Sequence, residues 1–428
     1  MDKIVNKEKY KPRLIDGIIG EYLKACGAVC VEGPKWCGKT WTSSYHSESE
    51  FQVGNPDGNF QNRSLAAMAP ALILEGTVPR LIDEWQEVPQ IWDAVRSEVD
   101  KRGLSGQFIL TGSSTPDHKG VLHSGAGRIV KLKMRTMSLY ESGDSTGDIS
   151  LYDICTGKAG QKFTGDVSLV KLADLTVRGG FPGNINNSGR AAEILPRAYI
   201  DSLLEDDVRE IDGTRYDIHK IQLLLKSLAR NESTLATKKS LIRDMLENDG
   251  EAINQETVSS YLNLFSRMFI TANQESFSPG VRSSLRIRQA EKRHLTDPAL
   301  VCALLNLNTE KLIGDLETFG FLFEALVERD LWIYANSVNA KLYHYRDYED
   351  NEIDAVIELE DGKWCAFEIK LGFNQVEAAA ANLLKISDMF AKKGIERPSA
   401  LCVICGMSSA AFMRPDGVYV VPITALKN

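Results

Sequence analysis

The sequence predicts an α/β protein in three parts: a core on a parallel sheet, a helical middle, and a second α/β domain towards the carboxyl end. Three observations carry this prediction. Apolar runs at Ala28-Val29-Cys30-Val31, Leu81-Ile82 and Phe108-Ile109-Leu110 each end in polar residues, the pattern of buried parallel strands with a site at their tips. Beyond Arg190 the apolar spacing becomes helical. Near the carboxyl end, two apolar runs flank Glu360-Asp361-Gly362, a turn joining two strands.

Composition narrows the class further. At 428 residues the chain exceeds the size at which one core stops growing, so two or three domains are expected. With 43% hydrophobic and 25% charged residues it reads as a folded protein. A net charge of -8 and a sequence pI near 5.5 argue against coating nucleic acid by charge alone. The opening "MDKIVNKEKYKPRLIDGIIG" holds no apolar segment of signal-peptide length and no later run approaches a membrane span, so a cytoplasmic protein without membrane partners is expected. Its 8 cysteines are dispersed. Cys402 and Cys405, inside "ALCVICG", read as two core thiols of a buried strand rather than as half of a zinc site.

The first element with chemistry is "GPKWCGKT", Gly33 to Thr40, which fits G-x-x-x-x-G-K-[ST] between a strand and a helix, "KTWTSSYHSE". In such a loop Gly33, Pro34, Lys35, Trp36, Cys37 and Gly38 turn backbone N–H groups onto phosphate oxygens. Lys39 then reaches the β- and γ-phosphates of ATP, and Thr40 holds Mg²⁺. The second strand delivers Asp83 and Glu84 in "PRLIDEWQEVP": Asp83 as the metal partner, Glu84 as the base that orients water. The third, "GQFILTGSS", ends in hydroxyls, of which Ser113 is the choice for sensing the γ-phosphate, with Thr111 close behind. In "GRIVKLKMRTMSLYE", Ile129, Lys131, Lys133 and Arg135 alternate with Val130, Leu132 and Met134 as a half-buried strand with a basic outer face. Arg128 at its mouth reads either as an arginine finger for a neighbouring subunit or as a solvated arginine.

After "RGGFPGNINNSGR" helices follow. "RAYIDSLLEDDVREI" and "DIHKIQLLLKSLARN" have helical apolar spacing. The stretch "TKKSLIRDMLENDGEAINQETVSSYLNLFSRMFI" reads as helix, turn at Asn248-Asp249-Gly250, and a second helix with an apolar stripe of Val258, Leu262, Phe265 and Phe269. With a strand pair around "MFITAN" this resembles a winged-helix unit. The exposed residues Gln255, Glu256, Ser259 and Ser260 carry little positive charge, which favours a packing role. A basic run of Arg282, Arg286, Arg288, Lys292 and Arg293 just downstream is suited to phosphate contacts.

The second chemical signal is "NEIDAVIELEDGKWCAFEIKLG". Glu368 and Lys370 stand two apart on one strand and so face the same way, and a hairpin brings Asp354 beside Glu368. Two carboxylates and a lysine on one side of a sheet make a site for Mg²⁺ or Mn²⁺, with Asp354 and Glu368 as ligands and Lys370 stabilising developing negative charge. Glu324, an acid among Phe321, Leu322, Phe323, Ala325 and Leu326, is suited to the metal's outer shell.

Taken together, "GPKWCGKT", "LIDEWQEVP", "FILTGSS", "GRI", "RGGFPG", "ETVSSYLNLF", "LTDPALVCALL", "LFEALV", "EIDAVIE" and "FEIKLG" resemble the prokaryotic AAA-type ATPases that carry a C-terminal domain similar to a winged helix joined to a restriction-endonuclease-like fold. The resemblance implies an ATPase domain over 1–190, a helical, winged-helix-like region over 191–300 and a restriction-endonuclease-like domain over 301–428. It implies ATP and Mg²⁺ at Lys39, Thr40, Asp83 and Glu84, and places Asp354, Glu368 and Lys370 on the nuclease-like core. Trp36 and Cys37 depart from the usual basic or small loop residues, and Arg135-Thr136 stands where Pro-Leu is common. The expected function is Mg²⁺-dependent ATP hydrolysis in a molecular switch controlling a domain that handles or cleaves nucleic acid. The alternative is an ATP-dependent regulator or scaffold whose C-terminal domain is a catalytically silent protein-binding module. Nucleic acid, a protein partner and self-association all remain open.

Overall fold

The structure is a computed structural model that describes residues 7–115, 123–208, 216–279 and 290–428. The chain forms two compact units, one of residues up to Thr136 together with Asn263–Ile270, the other containing Met137–Val208, Tyr216–Leu262 and the described residues after Thr271. Contacts thus group the chain up to Thr136 with Asn263–Ile270 and part it from Met137 onward.

The first unit is built on five parallel strands: β1 (Ala28–Glu32), β2 (Ser49–Gln52), β3 (Arg80–Asp83), β4 (Phe108–Gly112) and β5 (Ile129–Lys133), in the order β2-β3-β4-β1-β5. Strand residues alternate between two cores. Ala28, Cys30, Ile82, Phe108 and Leu110 join Trp92, Val95 and Val99 of the helix Gln90–Arg102. Val29, Val31, Leu81 and Ile109 join Ile15, Ile18 and Ile19 of the helix Ile15–Ala25. Covered on both faces, β1 and β4 are buried at every residue, which is why their sequences are continuous apolar runs. On β5 the expected alternation holds for Leu132 and Met134. Ile129, assigned to the basic face, is buried because the sheet is covered there too. Lys131 stays exposed on the outer face, where it pairs with Glu32 at 2.7 Å and lies over the Trp92 ring.

The second unit holds the helices of the middle as far as Leu262 and a seven-stranded sheet. Two short strands come first, β6 (Ile149–Ser150) and β7 (Lys162–Phe163). They are followed by β8 (Lys341–Arg346), β9 (Glu352–Glu358), β10 (Trp364–Lys370), β11 (Ala400–Cys405), β12 (Ala410–Met413), β13 (Tyr419–Pro422) and β14 (Leu426–Lys427). The large sheet runs β7-β12-β13-β11-β10-β9-β8, while β14 pairs with β6 alone. Helix Val376–Lys392 packs Val376, Ala380, Leu383, Ile386 and Phe390 against Val356, Ala366, Val403 and Val420. Helix Leu316–Ser337 lies against β8, β9 and β10. All eight cysteines are free; Cys402 and Cys405 are buried thiols of β11.

The helical middle is present as Ile218–Arg230, Lys238–Asp249 and Gln255–Arg267, the first two capped by Asp217 and Thr237. Its buried stripe differs from the expected one. Val258, Tyr261, Leu264, Phe265 and Met268 are buried; Leu262 is half-buried, and Phe269 lies past the helix end at φ 56°. The strand pair expected around "MFITAN" is reduced to single antiparallel bridges, Thr271 with Leu295 and Gln274 with Lys292. Arg282, Arg286 and Arg288 lie outside the described residues. Lys292 and Arg293 do not form a phosphate-contacting surface: the first is fully buried, and the second donates to the Ala236 carbonyl at 3.0 Å.

A charge network explains why "RGGFPG" and "LTDPAL" matter. Gly180 N–H donates to Asp297 at 2.9 Å, and its carbonyl accepts from Met137 at 2.7 Å. Arg329 joins Asp297 at 3.2 Å and Asp330 at 2.8 Å, and Asp330 in turn accepts from Leu139 N–H at 2.8 Å. A Cβ on Gly180 would stand 2.1 Å from the Met137 carbonyl oxygen. Gly180→Ala is therefore expected to destabilise the second unit by about 1–3 kcal/mol, and Arg329→Met, which strands two buried carboxylates, by about 3–5 kcal/mol. Urea unfolding followed by tyrosine and tryptophan fluorescence checks both, and equal stabilities would refute the linkage.

Candidate functional site

The phosphate loop follows β1 directly. Gly33 is close to the end of β5, where a Cβ would meet the Met134 carbonyl at 2.2 Å, and Gly38 turns the chain at φ 101° into the helix Lys39–His46. Trp36, at φ 62°, points its ring outward and is half exposed, while Cys37 is buried. The buried Lys39 ammonium reaches back across the loop to the Pro34 carbonyl at 2.8 Å. Amides at the start of this eight-residue helix face an anion with the positive end of the helix dipole.

The strand tips meet there as expected. Thr40 and Thr111 both donate to one Asp83 oxygen, at 2.8 and 2.6 Å. Burial pushes the Asp83 carboxyl above its ordinary range, against the pull of these hydroxyls. Thr40 and Asp83 thus present a hydroxyl and a carboxylate side by side, a donor set that fits Mg²⁺ and would hold it beside a phosphate chain. Glu84 has φ 57° and ψ 52°, a left-handed conformation rare outside glycine, which turns its carboxylate away from the strand line. That carboxylate accepts from Ser113 at 2.8 Å and from the Gln86 amide, which also donates to Ser113 at 3.1 Å. Thr111 therefore anchors Asp83, leaving Ser113 as the hydroxyl beside Glu84.

Arg128 is separated from the loop of its own chain, as a finger for a neighbouring subunit or a solvated arginine would be: Ile129 pairs with Ala28 at the amino end of the sheet, and the loop leaves the carboxyl end, roughly 16 Å away at about 3.3 Å per residue. Its guanidinium instead pairs with Asp100 at 2.7 Å. The sequence reading missed Arg13. Its buried guanidinium donates to the Cys37 carbonyl at 2.9 Å and to the Arg135 and Thr136 carbonyls at 2.9 and 3.1 Å, tying the back of the loop to the chain after β5. Nothing local marks it, since its partners are backbone atoms far along the chain. Arg13→Ala is expected to weaken ATP binding by about tenfold, and Arg13→Lys to recover little because it lacks the planar fork. Titration with a fluorescent ATP analogue measures both; unchanged affinity in Arg13→Ala would exclude the clamp.

In the second unit β9 and β10 pair antiparallel with Phe367 opposite Ala355, so Asp354 and Glu368 stand side by side. The Lys370 ammonium lies between them, 2.9 Å from Asp354 and 2.7 Å from Glu368, and Asp354 also accepts from Ile369 N–H at 2.8 Å. Asn382 donates to Glu368 at 2.9 Å. Glu324 joins this group through a residue not singled out for it. Lys292 contacts Glu324 at 2.7 Å, Glu328 at 3.1 Å and the Asp354 carbonyl at 2.9 Å. His294 links Glu328 to Glu232, the latter at 2.8 Å. The expected trio is thus assembled, but the cations within it are lysine side chains. Among the described residues no three His, Cys, Asp or Glu side chains are placed to hold a metal ion. Lys370 occupies one oxygen of each carboxylate, so a divalent ion at Asp354 and Glu368 would share the pair with its ammonium.

Burial, reinforced by the Asp354 charge, pushes Glu368 up to about 8; burial likewise takes Glu324 to about 8. Against the cost of burial, Glu328 and Glu232 hold His294 up at about 9. Asp354 goes the other way: against burial, Lys370 and Lys292 keep it below its ordinary range. Between 4.5 and about 8 the unfolded chain has lost protons that the two folded glutamates keep, so stability falls as pH rises. The His294 contribution is complete below 6.5 and lost by about 9. The second unit is expected to melt at a lower temperature at pH 9 than at pH 6.5, by calorimetry, and less steeply with pH in His294→Asn. A flat or rising midpoint would contradict these protonation states.

The chain matches three family models in succession: an AAA domain over residues 26–142, a domain of unknown function (DUF8612) over 169–311, and another (DUF4143) over 319–426. Uncharacterised proteins of Mycobacterium bovis and Mycobacterium tuberculosis are each 24% identical over 349 residues, covering 80% of this chain and 70% of theirs. Among solved structures, a Walker-type ATPase of Pyrococcus abyssi aligns over 70% of this chain and 97% of its own, at 13% identity and a TM-score of 0.43. Cdc6p of Pyrobaculum aerophilum aligns over 73% and 99%, at 14% identity and a TM-score of 0.22. The loop, the parallel sheet and the matched AAA segment together make residues 26–142 an ATP-binding P-loop domain of the AAA type. Among the described residues no helix is long and apolar enough to cross a membrane.

Proposed function

We propose that the chain is an ATP-driven molecular switch: Mg²⁺-dependent ATP hydrolysis in the first unit sets the binding state of a C-terminal module. The observation that carries this reading is the shared Asp83 oxygen between Thr40 and Thr111, with Glu84 held beside Ser113. Lys39 and the loop amides take the phosphates, Thr40 and Asp83 the metal, and Glu84 the attacking water, with Ser113 facing the γ-phosphate. Bound Mg²⁺ supplies charge neutralisation on the phosphate oxygens. A soluble, cytoplasmic setting accords with the composition.

For the C-terminal domain we favour a catalytically silent module that binds a protein partner. Its acidic side chains already contact Lys370 and Lys292, and the net charge of -8 suits protein contacts better than nucleic acid. One observation supports metal-dependent cleavage of nucleic acid instead: Asp354, Glu368 and Lys370 share one face, with the Lys370 side chain 26% exposed. Arg128, remote from its own loop, has a role at the nucleotide only if a second copy of the chain supplies it.

Lys39→Ala is expected to abolish ATP binding. Glu84→Gln should keep the affinity while lowering turnover by about 10²–10⁴-fold. Phosphate release and equilibrium titration together read the two effects, and normal turnover in Lys39→Ala would refute the site. Incubation of supercoiled and single-stranded DNA with Mn²⁺, with and without ATP, decides the C-terminal reading: no cleavage is expected from the native chain, and cleavage lost in Glu368→Ala would establish the nuclease.

A further inference from the structure

We propose that Lys292 is a built-in counter-ion: its ammonium occupies a cation position formed by Glu324, Glu328 and the Asp354 carbonyl, and its removal opens that position to a divalent metal. This rests on the reading of the C-terminal domain as metal-free. Lys292 is 1% exposed. An ammonium has three N–H donors, and here each has an oxygen, at 2.7, 3.1 and 2.9 Å, two of them carboxylate. The shell is complete and leaves no donor for water.

The placement follows from the backbone. Gln274 bridges Lys292 and Thr271 bridges Leu295, which holds this stretch extended. Alternate residues of an extended chain face the same way, so Lys292 and His294 both enter the acidic cluster while Arg293 turns to the Ala236 carbonyl. Taking an ammonium fully out of water costs several kcal/mol, and so does burying a carboxylate, so neither is stable there alone. Burial holds Glu324 up at about 8, and the Lys292 charge beside it pulls the other way. All three donors are hard oxygens, the set that suits Mn²⁺, Mg²⁺ or Ca²⁺. Lys370 stays on Asp354 and Glu368, so this position is separate from the one a nuclease would use.

The test is Mn²⁺ titration of the full chain, without nucleotide, by electron paramagnetic resonance. Lys292→Ala is expected to gain one Mn²⁺ per chain, bound at least tenfold more tightly than any the native chain binds, and to lose it again in Lys292→Ala/Glu324→Gln. A folded Lys292→Ala that gains none overturns the inference. So does a native chain whose Mn²⁺ is removed by Glu324→Gln. Native Mn²⁺ removed by Glu368→Ala instead would overturn the metal-free reading, and the Lys292→Ala gain would still decide the counter-ion. If Lys292→Ala does not fold, recovery of a cooperative melt on adding Mn²⁺ but not Na⁺ supports the proposal, and failure to recover overturns it.

Discussion

A charge taken out of water must meet an opposite charge or several dipoles within hydrogen-bonding distance, and much of this molecule is arranged around that constraint. Arg13 meets three carbonyls, Arg329 two aspartates, and Lys292 two glutamates and a carbonyl. In each case the partners come from separate parts of the chain, so the ion pair fixes the path of the backbone as much as it adds stability. The loop that cradles phosphate, the glycine pair before the middle helices and the acidic cluster are each held in this way.

At the phosphate loop the constraint becomes a site. Parallel strands end together on one edge of the sheet, so short side chains on neighbouring tips reach one another without long loops. Asp83 and Glu84 are adjacent in sequence yet serve different partners, because the left-handed turn at Glu84 sends the second carboxylate away from the first. One faces the loop helix through Thr40, the other the end of β4 through Ser113.

The strands and the loop were legible because their signals are local: apolar runs closed by polar tips, and glycines where backbone passes close to backbone. The hairpin register was legible for the same reason, and it put Asp354 opposite Glu368. Arg13, Lys292 and His294 were not, since their roles depend on residues about 25 to 120 positions away; as sequence they are simply basic residues in polar stretches. Lys292 and Arg293 were read as surface cations because a basic run normally is one. The helix over Gln255–Arg267 was found but its buried stripe was displaced, as Tyr261, an amphipathic residue, is buried where Leu262 was expected.

One feature of the nucleotide site has a mechanical side. Thr111 and Ser113 lie two residues apart at the end of β4, and each grips one of the two acids of β3 and its turn. The two carboxylates are therefore handles on a single short length of chain. A displacement of either carboxylate would thus be felt by the other through the few residues of β4 that join Thr111 to Ser113.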